Sequence, residues 1–213
     1  MSALSRHYAG EAYFQRLLTL SREGSGSART RALLALLPRR PSGMRVLDAG
    51  CGVGGFSAAL RDANDVIGAD INEECLRYLA AKGWPTILFD LEALWPLAPR
   101  SFDLVLLGDV LEHLFAISHV ISEARRVVKP DGRILVAVPN AGYWRRRLRL
   151  LLQGDLGSDL SDHIRYFSPK SLTRVCRSVG LSVDGMRPYS WNSKLDAALP
   201  LDIAWGFVAR LAV

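Results

Sequence analysis

The chain has 213 residues, of which 49% are hydrophobic and 23% charged, and a net charge of +6. That length carries one domain with a full core, or one domain with a lid, and leaves no room for a second catalytic domain. Cys51, Cys75 and Cys176 are scattered and odd in number, which excludes a disulfide framework or a cysteine metal cluster and fits buried thiols in a reducing compartment.

The segment from Met1 to His7 has no signal-peptide apolar core. No stretch approaches the ~18 uncharged apolar residues of a membrane span, so a cytoplasmic protein is expected. A helical pattern runs from about Tyr8 to Leu20, followed by the flexible linker Glu23-Gly24-Ser25-Gly26-Ser27. A second helix is predicted from Ala28 to Leu37, stopped by Pro38. Residues 1–40 thus stand apart from a main domain at 41–213.

Strands are predicted near 44–49, 65–70, 85–89, 102–108, 132–138, 180–189 and 204–212, with helical patterns between the early ones and a short helix before the last. Such alternation implies an α/β fold: a seven-stranded, mostly parallel, Rossmann-like sheet with helices on both faces. Ligands of such sheets bind outside the carboxyl ends of the strands.

The first strand runs into Asp48-Ala49-Gly50-Cys51-Gly52-Val53-Gly54-Gly55-Phe56, and a helical pattern (Phe56, Ala59, Leu60) follows. Glycines there let backbone approach a ligand with no Cβ in the way, and the N–H groups of a following helix would face the same ligand. Gly50, Gly52 and Gly55 satisfy G-x-G-x-x-G, and Asp70 ends the next apolar run, the spacing of a dinucleotide site. Other features point elsewhere. Asp48 would repel a pyrophosphate but hold an ammonium. Asp90 ends the third run, and the fourth leads through Gly108 into Asp109-Val110-Leu111-Glu112-His113-Leu114.

With these motifs the chain resembles the class I S-adenosylmethionine (SAM) dependent methyltransferases. The resemblance rests on the glycine loop, the acids at 70 and 90, the Asp109–Leu114 segment, and Arg125-Arg126-Val127-Val128-Lys129-Pro130-Asp131-Gly132-Arg133 with the strand closed by Pro139-Asn140. His163-Ile164-Arg165-Tyr166-Phe167-Ser168 is similar to the subgroup acting on small molecules, quinone precursors and sugars. The resemblance covers roughly residues 44–190. It implies SAM as cofactor, S-adenosylhomocysteine as product, and a biosynthetic O-methylation of a sugar, phenol or similar metabolite. It also implies that residues 1–40 form a helical lid and residues 140–167 a substrate-covering insertion.

Roles follow from the chemistry of SAM. Asp48 suits the ammonium side, and the Gly50–Gly54 backbone, with Cys51 and Gly52, lines the methionine moiety. Asp70 can accept both ribose hydroxyls. Ile71 offers adenine an apolar face, Asp90 accepts from its amino group, and Leu91 packs on the ring. Gly108 presents backbone near the methionine end, and Tyr8 or Tyr13 is a donor for the carboxylate. Each acid also suits a helix N-cap after a strand. Methyl transfer needs positioning, and a hydroxyl acceptor needs its proton removed, a task suited to histidine. His113, His163, His7 and His119 are the candidates; His113 and Asp109 begin the segment after the fourth strand, His163 precedes Tyr166-Phe167, and His119 reads as exposed or structural. No ligand-spaced cluster is evident, so no metal is expected, although Asp109, Glu112 and His113 are close in sequence.

At helical spacing Trp144, Leu148, Leu151 and Leu152 share a face, with Arg145, Arg146 and Arg149 largely opposite. This reads as a lid helix with a solvated basic face. A sharper reading is a patch for an anionic or carrier-linked acceptor, or weak contact with a membrane surface. Nucleic acid is not an expected partner, because no aromatic-basic alternation marks a stacking groove. A monomer and a homodimer both remain open, as do N-methylation of an amine, a nicotinamide-binding reductase and a non-catalytic relative.

Overall fold

The computed structural model describes residues 8–22, 28–37, 41–154, 163–190 and 200–212. Its strands are β1 (Arg45–Ala49), β2 (Asp65–Asp70), β3 (Thr86–Leu88), β4 (Phe102–Gly108), β5 (Val128–Pro139), β6 (Ser182–Tyr189) and β7 (Gly206–Ala212). They form one sheet in the order β3-β2-β1-β4-β5-β7-β6. The first five pair in parallel, and β7 runs antiparallel between β5 and β6. The helices are α1 (Glu11–Arg22), α2 (Ala28–Leu34), α3 (Glu73–Ala80), α4 (Ile117–Val127), α5 (Trp144–Gln153) and α6 (Pro169–Ser178).

The central strands are near-continuous apolar runs because helices cover both faces of the sheet. Successive residues serve opposite sides. Leu47, Val105 and Leu107 pack with Val120, Ile121 and Ala124 of α4 and with Leu172 and Cys176 of α6. Val46, Leu104 and Leu106 pack with Leu33 of α2 and with Leu76 and Leu79 of α3. All three cysteines are buried and free. The chain leaves β1 toward β2 and leaves β4 toward β5, so the neighbouring strands β1 and β4 flank the switch point of the sheet. Asp48, Asp70 and Gly108 lie at the carboxyl ends that surround it.

The structure departs from the sequence reading in four places. No α-helix follows the glycine loop; turns lead into a 3₁₀ helix at Ala58–Ala63. Ser57, at the capping position, donates its hydroxyl to Asp48 and accepts from no backbone N–H at the helix end, and Leu60 bonds back only three residues to Ser57. Second, β5 starts four residues early. Val128 pairs with Phe102 and Arg133 with Leu104, and the register shift between Phe102 and Leu104 leaves residues 129–132 of the strand without β4 partners. Third, α2 stops at Leu34, and residues 35–36 are turn and 37 a bend. Fourth, α5 is turned the other way round. Arg146 is the residue that it buries, while Leu148, Leu151 and Leu152 face outward. The short helix expected before β7 falls partly outside the described residues, and residues 201–205 are turn and bend.

Candidate active site

Three left-handed glycines shape the loop after β1: Gly50 (φ +80°), Gly52 (φ +50°) and Gly54 (φ +81°). A Cβ on Gly50 would lie 2.7 Å from Val110 Cγ2, and one on Gly54 would lie 3.0 Å from Leu79 Cδ2. Gly55, the third glycine of the dinucleotide spacing, has neither a positive φ nor a close neighbour. The loop is therefore built on 50, 52 and 54.

Asp48 is buried at the end of β1. Its Oδ2 accepts from the Ser57 hydroxyl, while its Oδ1 meets no hydrogen-bond donor. Burial raises its carboxyl to about 6, against the opposing pull of the Ser57 bond and of Arg29. Asp70 accepts from Gly52 N at 2.8 Å on Oδ2 and from Asn72 N at 2.9 Å on Oδ1. One acid thus holds the glycine loop and the start of α3 together, and each oxygen keeps a lone pair for a ligand. Burial raises its carboxyl as well, and the backbone bonds pull it down. Asp90 Oδ1 accepts from Glu92 N at 2.9 Å. Leu91 beside it is buried, and its carbonyl accepts from Trp95 Nε1 at 3.0 Å. Gly108 makes room for the Phe56 ring, which a Cβ would meet at 2.4 Å.

The amino-terminal segment lies against these elements. Asn72, the N-cap of α3, donates its side-chain amide to Tyr8 O at 2.7 Å and to Gly10 O at 3.1 Å. Leu17 of α1 sits 3.1 Å from where a Gly52 Cβ would be. Tyr13 is pushed far up in pKa, first by burial and then by Asp70. The Tyr8 and Tyr13 rings pack edge to face at 4.9 Å. The Tyr8 hydroxyl reaches Nδ1 of His113 at 2.8 Å.

On the opposite side of the switch point, a 3₁₀ turn (Leu111–His113) follows β4. The backbone N–H groups of Ile164 and Arg165 both donate to Glu112 O, and the Arg165 guanidinium caps Leu114 O and Phe115 O. These bonds bring His163 beside His113, with ring centroids 4.8 Å apart. Glu112 lies within the same cluster. It is fully buried, and neither carboxylate oxygen has a hydrogen-bond partner. Burial, then Asp109, drives its carboxyl well above the usual range. One ligand atom each from Glu112, His113 and His163 lie within 4.8 Å of one another, a spacing that would admit a metal ion.

Asp109 has a left-handed backbone (φ +52°). Its Oδ2 is paired with the Arg29 guanidinium, and its Oδ1 accepts from the Tyr189 hydroxyl at 3.0 Å. Arg29 also stacks over Phe56 at 5.2 Å. His119 is remote from the cluster, with Nε2 3.0 Å from Ala93 O. His7 and the stretch 155–162 fall outside the described residues. Sequence reading missed Arg29, Tyr189 and Arg165. Arg29 and Tyr189 come from α2 and β6, distant in the chain, and no local pattern marks them; Arg165 stands in the His163–Ser168 motif with no role attached.

A family model described as "Methyltransferase domain" matches residues 21–184. The chain belongs to the SAM-dependent class I methyltransferases. It is 30% identical over 162 residues to a ubiquinone biosynthesis O-methyltransferase of Paracidovorax citrulli, a match spanning 70% of this chain and 68% of the relative. It is 31% identical over 154 residues to a probable SAM-dependent methyltransferase of Mycolicibacterium smegmatis, covering 70% of this chain and 56% of that protein. The fold matches a SAM-dependent methyltransferase of Thermotoga maritima, described as a possible histamine N-methyltransferase, with a TM-score of 0.73 at 18% identity. That match covers 98% of this chain and 99% of the other. It also matches the magnesium protoporphyrin IX methyltransferase of Synechocystis, solved with bound SAH, at a TM-score of 0.71 and 18% identity, covering 97% and 96% of the two chains. The protein is an enzyme of this class that uses SAM, and relatives named for small-molecule methylation are among its matches. No helix among the described residues is long and apolar enough to cross a membrane.

Proposed function

We propose that this methyltransferase O-methylates a small phenolic, sugar-like or related metabolite, with His163 and His113 facing the acceptor hydroxyl. The observation that carries the reading is the His113–His163 pair, 4.8 Å between ring centroids, at the carboxyl end of β4 beside the glycine loop.

The residues present fit SAM. Asp48 Oδ1 is a buried acceptor without a donor, as an ammonium site requires, and the left-handed glycines leave a backbone cradle with no Cβ. In this reading Asp48 and the Gly50–Gly54 loop, with Cys51, hold the methionine moiety and Gly108 borders its far end. Asp70 accepts the ribose hydroxyls, while Ile71, Asp90 and Leu91 take adenine. Tyr8 or Tyr13 remains the proposed donor for the carboxylate. SAM itself supplies an electrophilic methyl group. The protein's share is to orient the acceptor oxygen in line, exclude water and take a proton. His163 takes that proton, and His113 is oriented by the Tyr8 hydroxyl. Asp109, engaged through both oxygens, is the proposed third member of the catalytic group and positions the wall of the site. The segment 8–22 acts as a lid over the cofactor, and the 140–167 insertion covers the acceptor.

The test is His163→Ala. Turnover should fall by roughly 10²–10⁴-fold with SAM affinity nearly intact. Unchanged turnover on an identified acceptor would move the reading to an amine acceptor or to positioning alone. The Glu112–His113–His163 spacing favours a second reading, in which a divalent ion lowers the acceptor's pKa. Turnover that survives EDTA supports the first reading. Loss in EDTA, restored by magnesium or zinc, supports the second.

A further inference from the structure

Helix α5 reads Trp144-Arg145-Arg146-Arg147-Leu148-Arg149-Leu150-Leu151-Leu152-Gln153. At 100° per residue, Leu151, Trp144, Leu148 and Leu152 form one stripe, and Arg146 lies on the opposite side. An ordinary surface helix turns its leucines inward. Here the inward residue is Arg146, which donates to Asn140 O at 3.0 Å and stacks over the rings of Tyr143 at 5.7 Å and Trp205 at 5.3 Å. The leucine stripe faces out: Leu151 is 83% exposed and Leu152 74%. Arg145 and Arg149 border the stripe on one side and Arg147 on the other, all exposed, and the helix carries no acid.

We propose that α5 docks the enzyme onto an anionic membrane surface, lying in the plane of the headgroups. An apolar stripe with arginines on both margins matches that interface, because leucines and tryptophan enter the acyl boundary while guanidinium groups meet lipid phosphates. Ten residues span about 15 Å, enough to lie in the interface and too short to cross it. Trp144 carries the Arg145 guanidinium over its ring at 5.1 Å, pairing an amphipathic ring with a cation at the edge of the stripe. A second copy fits this face less well, since two such helices packed together would bring arginine margins of like charge into contact. The stripe is close to the active site. Asn140, just past the end of β5, bridges to Phe167, and Phe167 O accepts from Ala141 N at 2.7 Å. The segment that carries His163 therefore runs beside the root of α5. Docking through α5 brings the acceptor side of the enzyme to the bilayer, which suits an amphiphilic acceptor. The docking itself does not depend on the acceptor proposed above.

The test is co-sedimentation of the full chain with vesicles of phosphatidylcholine containing 30% phosphatidylglycerol, against phosphatidylcholine alone. Binding to the anionic vesicles is expected, weakening as salt rises. The double variant Leu151→Asp/Leu152→Asp should bind at least tenfold more weakly. Each of Arg145→Gln, Arg147→Gln and Arg149→Gln should lower partitioning by about fivefold. SAM affinity measured on the same variants should match the parent, showing that they are folded. Failure to bind anionic vesicles, or binding that Leu151→Asp/Leu152→Asp leaves unchanged, would overturn the proposal. So would a dimer in analytical ultracentrifugation that the leucine variant dissociates, since the stripe would then be covered by a second copy.

Discussion

The Tyr8 hydroxyl stands 2.8 Å from Nδ1 of His113, joining residues 105 positions apart. The bond fixes which His113 nitrogen faces the amino-terminal segment and leaves Nε2 for the rest of the site. It also couples closure of that segment to the orientation of a proposed acceptor-side group.

Tyr8→Phe keeps the ring packing on Tyr13 and removes only the hydroxyl. Losing one neutral hydrogen bond of about 1 kcal/mol should lower turnover about fivefold, with SAM affinity staying within twofold where Tyr13 is the carboxylate donor. Steady-state kinetics alongside calorimetry separate the two quantities. Equal losses in both would assign Tyr8 to the cofactor instead.

Asp70→Ala should weaken SAM strongly. A charged hydrogen bond is worth roughly 1.5–3 kcal/mol, which corresponds to about a 10- to 150-fold rise in Kd. Because Asp70 also ties Gly52 N to Asn72 N through its two oxygens, and asparagine keeps only one acceptor, urea denaturation of the variant is the control for loop structure. Unchanged SAM affinity in Asp70→Ala would sink the ribose assignment.

Asp48 sets a pH dependence whose sign is fixed. Its carboxyl goes from 3.8 to about 6 on folding. Between those values the folded protein binds more protons than the unfolded chain, so this group's contribution to stability declines as pH rises from about 4 through 6. Asp48→Asn should remove that decline. Without SAM, the variant should gain up to about 3 kcal/mol over the parent above pH 7 and nothing below pH 4. Its SAM affinity should fall. Urea denaturation at several pH values would read the first effect and calorimetry the second.

Arg29 and Asp109 form a largely enclosed pair whose other contacts are Phe56 and Tyr189. Arg29→Met should leave Asp109 poorly compensated and cost about 2–3 kcal/mol. Adding Asp109→Asn should return part of that loss, as a double-mutant cycle in urea would show. Additive losses would mean that the two side chains act independently.

Much of the frame was readable from local pattern. Five apolar runs, three of them ending in Asp48, Asp70 and Asp90 and a fourth in Gly108, announce parallel strands with polar carboxyl ends, because a doubly covered strand leaves little else to read. Gly54 and Gly55 could not be told apart by spacing; only the backbone angles single out Gly54. The 3₁₀ helix after the loop was hidden because Phe56, Ala59 and Leu60 fit a helical spacing, while Ser57 finds its partner in Asp48, nine residues earlier. Arg29, Tyr189 and Arg165 reach the site from three different elements, and pairing across such distances leaves no periodic trace. The outward leucines of α5 mislead any rule that sends apolar faces inward, since one buried arginine outweighs them through Asn140, Tyr143 and Trp205.

The placement of β7 has a kinetic consequence. It pairs with both β5 and β6, so β6 has no neighbour in the sheet until Gly206–Ala212 inserts. Every residue from 129 to 205 can already be present while β5 still ends in a row of unpaired amides and carbonyls. That open edge is a template for other chains, and it exists only in the interval before the last strand arrives. Conditions that slow this insertion should therefore favour aggregation over recovery during refolding, even when the mature enzyme is stable.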